Sequence, residues 1–333
     1  MFRAFPSVHS KNVRKIHEEP VGYLSFPHRF YLSGGVFYGS SPLFFRRCLL
    51  SPALREAHAE GGHRRWLLLS QSGRHALLRR CTFCSGGSGH FTPSGTIPEQ
   101  IAAERTRIAH THPDAGIIAY FQAHTTPTAR RNTCGAATRW RWHRTVWSAR
   151  IGTRPDCLPE PVLDVLSDIA EQTALTVELG LQTIHDATAE QFRRGYGFDQ
   201  FLHSFQALRE RHIRICVHLI NGLPSEMDAD MLETARVVGR LRPDAVKIHL
   251  LHILRGTPLA AQWRAADPVL SQGEYVQITA AQLALLPPET VIERLTGDGA
   301  AEELLAPRWS LHKTAVRNAI ARHLKYTDTW QGK

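Results

Sequence analysis

The chain has 333 residues, 43% of them hydrophobic, with 40 Lys and Arg against 30 Asp and Glu, a formal charge of +10. That content suffices for one sizeable core with an appendage. No run of about 18 apolar residues occurs, which argues against a membrane-spanning helix, and the N-terminus lacks the apolar segment of a signal peptide. Six cysteines over this length do not suit a secreted disulfide scaffold, so a reducing, cytoplasmic setting is expected. The excess charge would favour phosphate-bearing partners such as RNA, but much of it is Arg concentrated in stretches such as Arg130-Arg131 and Trp140-Arg141-Trp142-His143-Arg144.

Taken in chain order, residues 1–80 show no coherent period. Clusters such as Tyr38-Gly39-Ser40-Ser41-Pro42 give way to an Arg/His-rich stretch over 63–80, and the segment is expected to be irregular. Order returns at Ile97-Pro98-Glu99-Gln100, which opens a helix with Ile97, Ile101, Ala102 and Ile108 at helical offsets; Ile117-Ile118-Ala119-Tyr120-Phe121 reads as a buried strand. From Pro127 to Arg150 the pattern collapses again. Beyond Ile151 it is regular: a helix with Val162, Leu163, Val165, Leu166 and Ile169, a strand over Leu175–Leu179, helices over 186–194 and 199–211, a strand over Ile213–Ile220, a helix over 228–240 and a strand over Ala245–Leu250. Helices alternating with short apolar strands imply βα units and a mostly parallel sheet or barrel. In such folds the functional groups gather at the C-terminal ends of the strands, which points to Gln182-Thr183, Asn221-Gly222 and His249–His252. Glu178, Gln182, Asn221 and His249 are expected near one mouth.

Cys81-Thr-Phe-Cys84 is the sharpest local feature. Two thiolates two residues apart can chelate one metal or bracket an edge of a cluster, because soft sulfur favours zinc or iron–sulfur centres; a redox dithiol or two ordinary buried cysteines are the alternatives. Zinc is disfavoured by the lack of a second such pair. The following Ser85-Gly86-Gly87-Ser88-Gly89 is either a turn that brings backbone amides close to a ligand or a flexible connector. Cys157 and Cys216 have the apolar neighbours of buried cysteines. His249 and His252 suit a substrate phosphate, a general base or plain structural hydrogen bonding.

Several blocks in order resemble the YhcC-type radical S-adenosylmethionine (SAM) proteins, relatives of the Elp3 and MiaB/HemN branches. They are Cys81 to Gly89, Tyr120-Phe121-Gln122-Ala123-His124-Thr125, Gly152-Thr153-Arg154-Pro155-Asp156-Cys157, Glu178-Leu179-Gly180-Leu181-Gln182-Thr183, His218-Leu219-Ile220-Asn221-Gly222-Leu223-Pro224, the string Val246 to Thr257, and Leu304-Leu305-Ala306-Pro307-Arg308-Trp309. The resemblance covers about 81–126 and 151–320. It implies an α/β fold, a partial (β/α) barrel, with an aberrant N-terminal segment over 1–80, the barrel over 81–300 (127–150 aberrant) and a helical extension over 301–333. It also implies a [4Fe–4S] cluster held by three cysteines, S-adenosyl-L-methionine bound to the fourth iron, and a cellular one-electron reductant as partner. By position Cys81 and Cys84 match two cluster ligands, Gly86 and Gly87 the glycine pair near the SAM amino group, and Glu178 and Gln182 contacts to SAM; Glu178 could equally pair with Arg154 or Lys247. The Elp3-like relatives suggest an RNA substrate and the HemN-like ones a small molecule.

The chain departs from this family at one ligand. The pattern places the first cysteine in a Gly-Gly-Phe-Ser-Cys-Pro-Asn-Arg-Asp-Gly-Thr-like string about a dozen residues before the pair, yet no cysteine lies between Cys48 and Cys81, and the context of Cys48 is unlike the motif. Residues 65–76, Arg-Trp-Leu-Leu-Leu-Ser-Gln-Ser-Gly-Arg-His-Ala, can be encoded so that reading one base later yields that string. Residues 141–148 can likewise be encoded so that a frame two bases later reads Val-Ala-Pro-Asp-Gly-Val-Val-Gly. Both windows have the character of out-of-frame translation. Two functions follow as expectations: a radical SAM enzyme impaired by its missing ligand, or a non-enzymatic metal- or RNA-binding α/β protein.

Overall fold

Successive strands of this chain lie side by side in the order in which they are made. The computed structural model describes residues 30–32, 35–37, 64–70, 81–84, 97–109, 116–123, 146–297 and 301–333. Its main sheet has seven strands: β3 (Arg64–Ser70), β4 (Gly116–Ala123), β5 (Val146–Thr153), β6 (Ala174–Gln182), β7 (Arg214–Asn221), β8 (Ala245–Leu250) and β10 (Val291–Arg294). Every pairing in it is parallel. A parallel sheet that adds each strand to the same edge winds toward a barrel instead of reversing at a switch point. Its two edges, β3 and β10, do not pair with each other, so the barrel is partial.

The helices are α1 (Ile97–Ala109), α2 (Glu160–Gln172), α3 (Asp186–Gln191), α4 (Phe198–Glu210), α5 (Asp228–Leu241), α6 (Pro258–Gln262), α7 (Gln272–Leu285) and α8 (Lys313–Tyr326). A capping box at Ser271 and Glu274 starts α7. Period-3.6 apolar faces, such as Val162, Leu166 and Ile169 on α2 and Phe201, Phe205 and Leu208 on α4, pack on one side of the sheet. There they meet Val177, Leu179 and Leu181 of β6, Ile215, Val217 and Leu219 of β7, and Val246 and Ile248 of β8, all nearly inaccessible. Each such side chain stabilises by about 1.5–3 kcal/mol. Because side chains alternate along a strand, the intervening residues, including Glu178, Cys216, His218, Lys247 and His249, face the inside. A closed barrel fills that space with branched apolar residues; here it is polar.

Two short pairs complete the described chain. β1 (Phe30–Leu32) and β2 (Gly35–Phe37) form a hairpin, and β9 (Ile253–Leu254) pairs antiparallel with β11 (Leu304–Ala306). The segment after residue 300 therefore opens with a strand before its helix α8, which packs Val316, Ile320 and Leu324 into the main core.

Strand β3 lies within the 1–80 segment that the sequence reads as irregular. Its Trp66-Leu67-Leu68-Leu69 run is too short to distinguish strand from helix by period, and the free edge of β4 supplies the backbone partners that decide it. The second window likewise runs into a strand at its end. Residues 146–150 form the first half of β5, with Ser148, Ala149 and Arg150 buried. Residues 71–80 and 124–145, which hold the rest of both windows, lie outside the described residues.

Candidate functional site

The cysteine turn sits on the barrel. Cys84 N–H donates to the Cys81 carbonyl at 3.1 Å, closing a tight turn. Thr82 anchors it from both sides: its N–H donates to the Phe192 carbonyl at 3.0 Å, and its own carbonyl accepts from Leu259 N–H at 2.8 Å. The Phe83 ring meets the Phe192 ring edge-on at 5.7 Å. Cys81 is half-buried and Cys84 exposed. The side-chain hydrogen bond with Cys84 brings the Cys81 thiol down to about 7 against burial, helped by the charges of Arg154 and Arg194. A pair of thiols held on one turn beside guanidinium groups is disposed to ionise and to bind a soft metal.

The end of β6 lies beside this turn. A register shift between Gly180 and Gln182, with Gln182 at φ 65°, re-aims the strand end. Tyr196 hydroxyl donates to the Gly180 carbonyl at 3.0 Å and to Gln182 Oε1 at 3.1 Å. Its ring lies between the guanidinium groups of Arg154 and Arg194, 5.2 and 4.7 Å from its centroid. A Cβ at Gly180 would come within 2.7 Å of Gln182 Nε2, so a side chain there would displace the Gln182 amide. Buried Arg194 donates to the carbonyls of Leu181 and Thr183 and to Tyr196 O, and also pairs with Asp186. It thereby satisfies the backbone that the strand end leaves exposed.

Glu178 lies deeper, in a charged layer across the barrel interior. It is 1% exposed and accepts from Tyr120 hydroxyl at 2.6 Å, Arg150 at 2.9 Å, His218 Nε2 at 2.9 Å and Lys247 at 2.5 Å. Arg150 also pairs with Glu293, whose carboxylate stands 3.9 Å from Lys247. These contacts join β4, β5, β8 and β10 to β6 and β7, strands that are not all neighbours, so the inner faces converge. Two cations and two carboxylates balance there. Burial opposes ionisation of Glu178, but Lys247, His218 and Arg150 outweigh it and hold the carboxyl well below its ordinary range. Burial raises the Tyr120 hydroxyl well above its ordinary value, so it stays a donor.

Above this layer, His218 and His249 stand on adjacent strands with ring centroids 5.2 Å apart. Both are half-buried, and burial, reinforced by Lys247 and Arg294, holds both below the ordinary histidine value, His249 far below.

The expected residues thus divide. Cys81, Cys84 and Gln182 gather at the mouth, whereas Glu178 is saturated inside, paired with Lys247 and Arg150 and separated from Arg154. Gly86 and Gly87, like Cys48 and Cys134, lie outside the described residues. Asn221 reaches the strand end but turns into the helix layer, where its amide and that of Gln282 exchange hydrogen bonds at 2.8 and 2.9 Å. His252 leaves the interior and stacks its ring where Gly297 has no side chain. Tyr120, Arg150, Arg194, Tyr196, Lys247 and Glu293 were not singled out by sequence as site residues. Period-2 placement with Gly152, Glu178 and His249 was the available signal, and it marks a face without marking partners.

Known proteins resemble this chain in sequence and fold. The Radical SAM superfamily model matches residues 78–238, and the Radical SAM C-terminal domain matches 243–326. The protein YtqA of Bacillus subtilis is 40% identical over 76% of this chain and 80% of its own length. YhcC of Escherichia coli (strain K12) is 34% identical over 73% of this chain and 80% of its own. An archaeal Elp3 from Methanocaldococcus infernus, solved with an N-terminal deletion, superposes with a TM-score of 0.62 at 16% identity, over 81% of this chain and 64% of that one. That last likeness bears on the fold, the partial (β/α) barrel that the family resemblance implies. The chain belongs to the radical SAM superfamily, in the branch that holds YhcC and the Elp3-like proteins.

Proposed function

We propose that this chain is built to cleave S-adenosyl-L-methionine reductively at a [4Fe–4S] centre, and that with the cysteines it carries it does so poorly. The carrying observation is the docking of the Cys81–Cys84 turn through Thr82 and Phe83 at the strand ends, beside Gln182, Tyr196, Arg154 and Arg194. The soft donors suit an iron–sulfur group, but they supply two thiolates where the family uses three. The other thiols among the described residues do not complete the set. Cys216 is sealed with Ala245 and Val291 at the inner face, and burial beside Asp156 pushes the Cys157 thiol up to about 11. The chain's own residues order the mouth: Tyr196 fixes Gln182, Arg194 fixes the backbone below it, and the charged layer holds the inner faces together. A cellular one-electron reductant would supply the electron, and the substrate would enter from the mouth.

A second reading, a non-enzymatic metal-binding protein, is favoured by the same incomplete thiol set. Anaerobic reconstitution separates the two, with iron and sulfide analysis and assay of 5′-deoxyadenosine after chemical reduction. The unaltered chain should bind substoichiometric iron and release little 5′-deoxyadenosine. Replacing residues 65–75 with the displaced-frame string should raise the iron content. Replacing the second window as well should raise 5′-deoxyadenosine further. Two restored windows that bring no gain in either quantity would rule out the enzyme.

A further inference from the structure

The histidine pair inside the barrel has no part in the reading so far. His218 is explained: its Nε2 faces a carboxylate kept ionised, so Nε2 carries the proton and donates to Glu178. His249 is not. Its Nε2 is buried and has no hydrogen-bond partner among the described residues, although its ring stands at the border of the accessible space that leaves the His218 side chain 23% exposed. A buried polar atom left unpaired is destabilising, which calls for a partner that arrives from outside.

The surroundings select that partner's charge. His249 faces His218 from β7, Lys247 from its own strand, Arg294 from β10 and, more distantly, Glu178 from β6. Glu178 is already engaged by four donors. The nearest groups therefore present donors and positive charge to the space beside His249. A cation there would be repelled, and a neutral amine would meet no acceptor except His249 itself. An anionic oxygen would accept from Nε2–H, and its charge would favour the protonated imidazole that the empty site disfavours.

Resting on the radical SAM reading, we propose that His249, positioned by His218, is a substrate-binding residue and that the barrel interior receives an anionic oxygen of a small molecule, a carboxylate or a phosphate. The site lies on the inner face of β7 and β8, C-terminal to Lys247 of the charged layer, with His249 level in register with Ile220 and Gln182 level with Leu219. An anion gripped there would hold the rest of a small substrate toward the mouth.

The test uses the full chain labelled at histidine, followed by NMR as inorganic phosphate or acetate is added. The expected result is a saturable shift of the His249 ring signals with a rise in its pKa, by phosphate, by acetate or by both; the stronger anion identifies the source. Read on the neighbouring His218 ring, His249→Gln should weaken the apparent affinity by about tenfold or more, while circular dichroism and melting stay near those of the parent. Arg294→Gln should weaken it without touching the His249 ring, which keeps the proposal testable should the first variant misfold. Failure of both anions to move the His249 signals saturably would overturn the proposal, as would unchanged affinity in both variants. Neither failure touches the parent reading, which stands or falls on iron content and 5′-deoxyadenosine.

Discussion

Glu178→Gln is the substitution that best examines the charged layer. Glutamine keeps the shape but replaces one acceptor oxygen with a donor. Glu178 receives Arg150 on one oxygen and Tyr120, His218 and Lys247 on the other. In either amide orientation the new N–H2 faces a cation that can only donate. Aimed at Arg150 it costs that guanidinium its bond to Glu178 while the pair with Glu293 stays; aimed the other way it leaves Lys247 with a carboxylate 3.9 Å away. Removing one partner from a buried ion pair costs about 3–5 kcal/mol. Because Glu293 remains near both cations, the lower figure, about 3 kcal/mol, is expected. At a urea dependence of about 3 kcal/mol/M the unfolding midpoint should fall by about 1 M with an unchanged slope. A loss below about 0.5 kcal/mol, the size of an ordinary surface change, would refute the buried network and with it the convergence of the inner faces.

Other outcomes follow from the same geometry. Both interior histidines are held neutral, first by burial, so their folded values lie below the ordinary 6.5; the associated stability is complete above that pH and is lost as pH falls through the folded values. Urea unfolding from pH 7.5 to about 5.5 should show this decline, His249→Gln should flatten it, and an equal slope in the variant would contradict the assignment. Asn221→Ala should cost about 1–3 kcal/mol by stranding the Gln282 amide, with a coupling of at least about 0.5 kcal/mol in the double-mutant cycle with Gln282→Ala; additive effects would deny the pair. Cys81→Ser combined with Cys84→Ser should abolish the iron that the chain retains, and iron that persists in that double variant would move the metal site elsewhere.

The helical and strand periods after Ile151 were readable because each element has one buried face. Val162, Leu166 and Ile169 repeat at helical offsets, and Val177, Leu179 and Leu181 alternate against the same helices. The inner face was legible only as residue types. Glu178 was singled out and Lys247 was among its possible partners, but Arg150 stood at the end of a stretch whose Arg content disguised it. No local pattern tells that Arg150 on β5 and Glu293 on β10 will meet, since that contact depends on how far the intervening strands curl. Asn221 misled for a related reason: the end of a parallel strand is where ligands bind, but the side-chain alternation at that residue points it toward Gln282.

On the reading that both windows are out of frame, their placement explains why so much of the fold survives them. The second ends at residue 148, so β5 enters its buried half on Ala149, Arg150 and Ile151, and these residues find their parallel register against Leu175, Thr176 and Val177. Arg150 then ties that strand to Glu178 and to Glu293 across the barrel. The sheet is thus anchored from its C-terminal side, by β6, β7 and β8. The earlier strands need only match backbone to an existing edge, as the 64–70 stretch does against β4. A cluster ligand has no such tolerance. Its sulfur must come from one particular side chain, which the displaced string would put in place of Leu69 near the end of β3, and the present sequence lacks it. The fold and the metal site therefore respond differently to the same displacement, and repair of 65–75 is expected to change iron binding far more than it changes the unfolding midpoint.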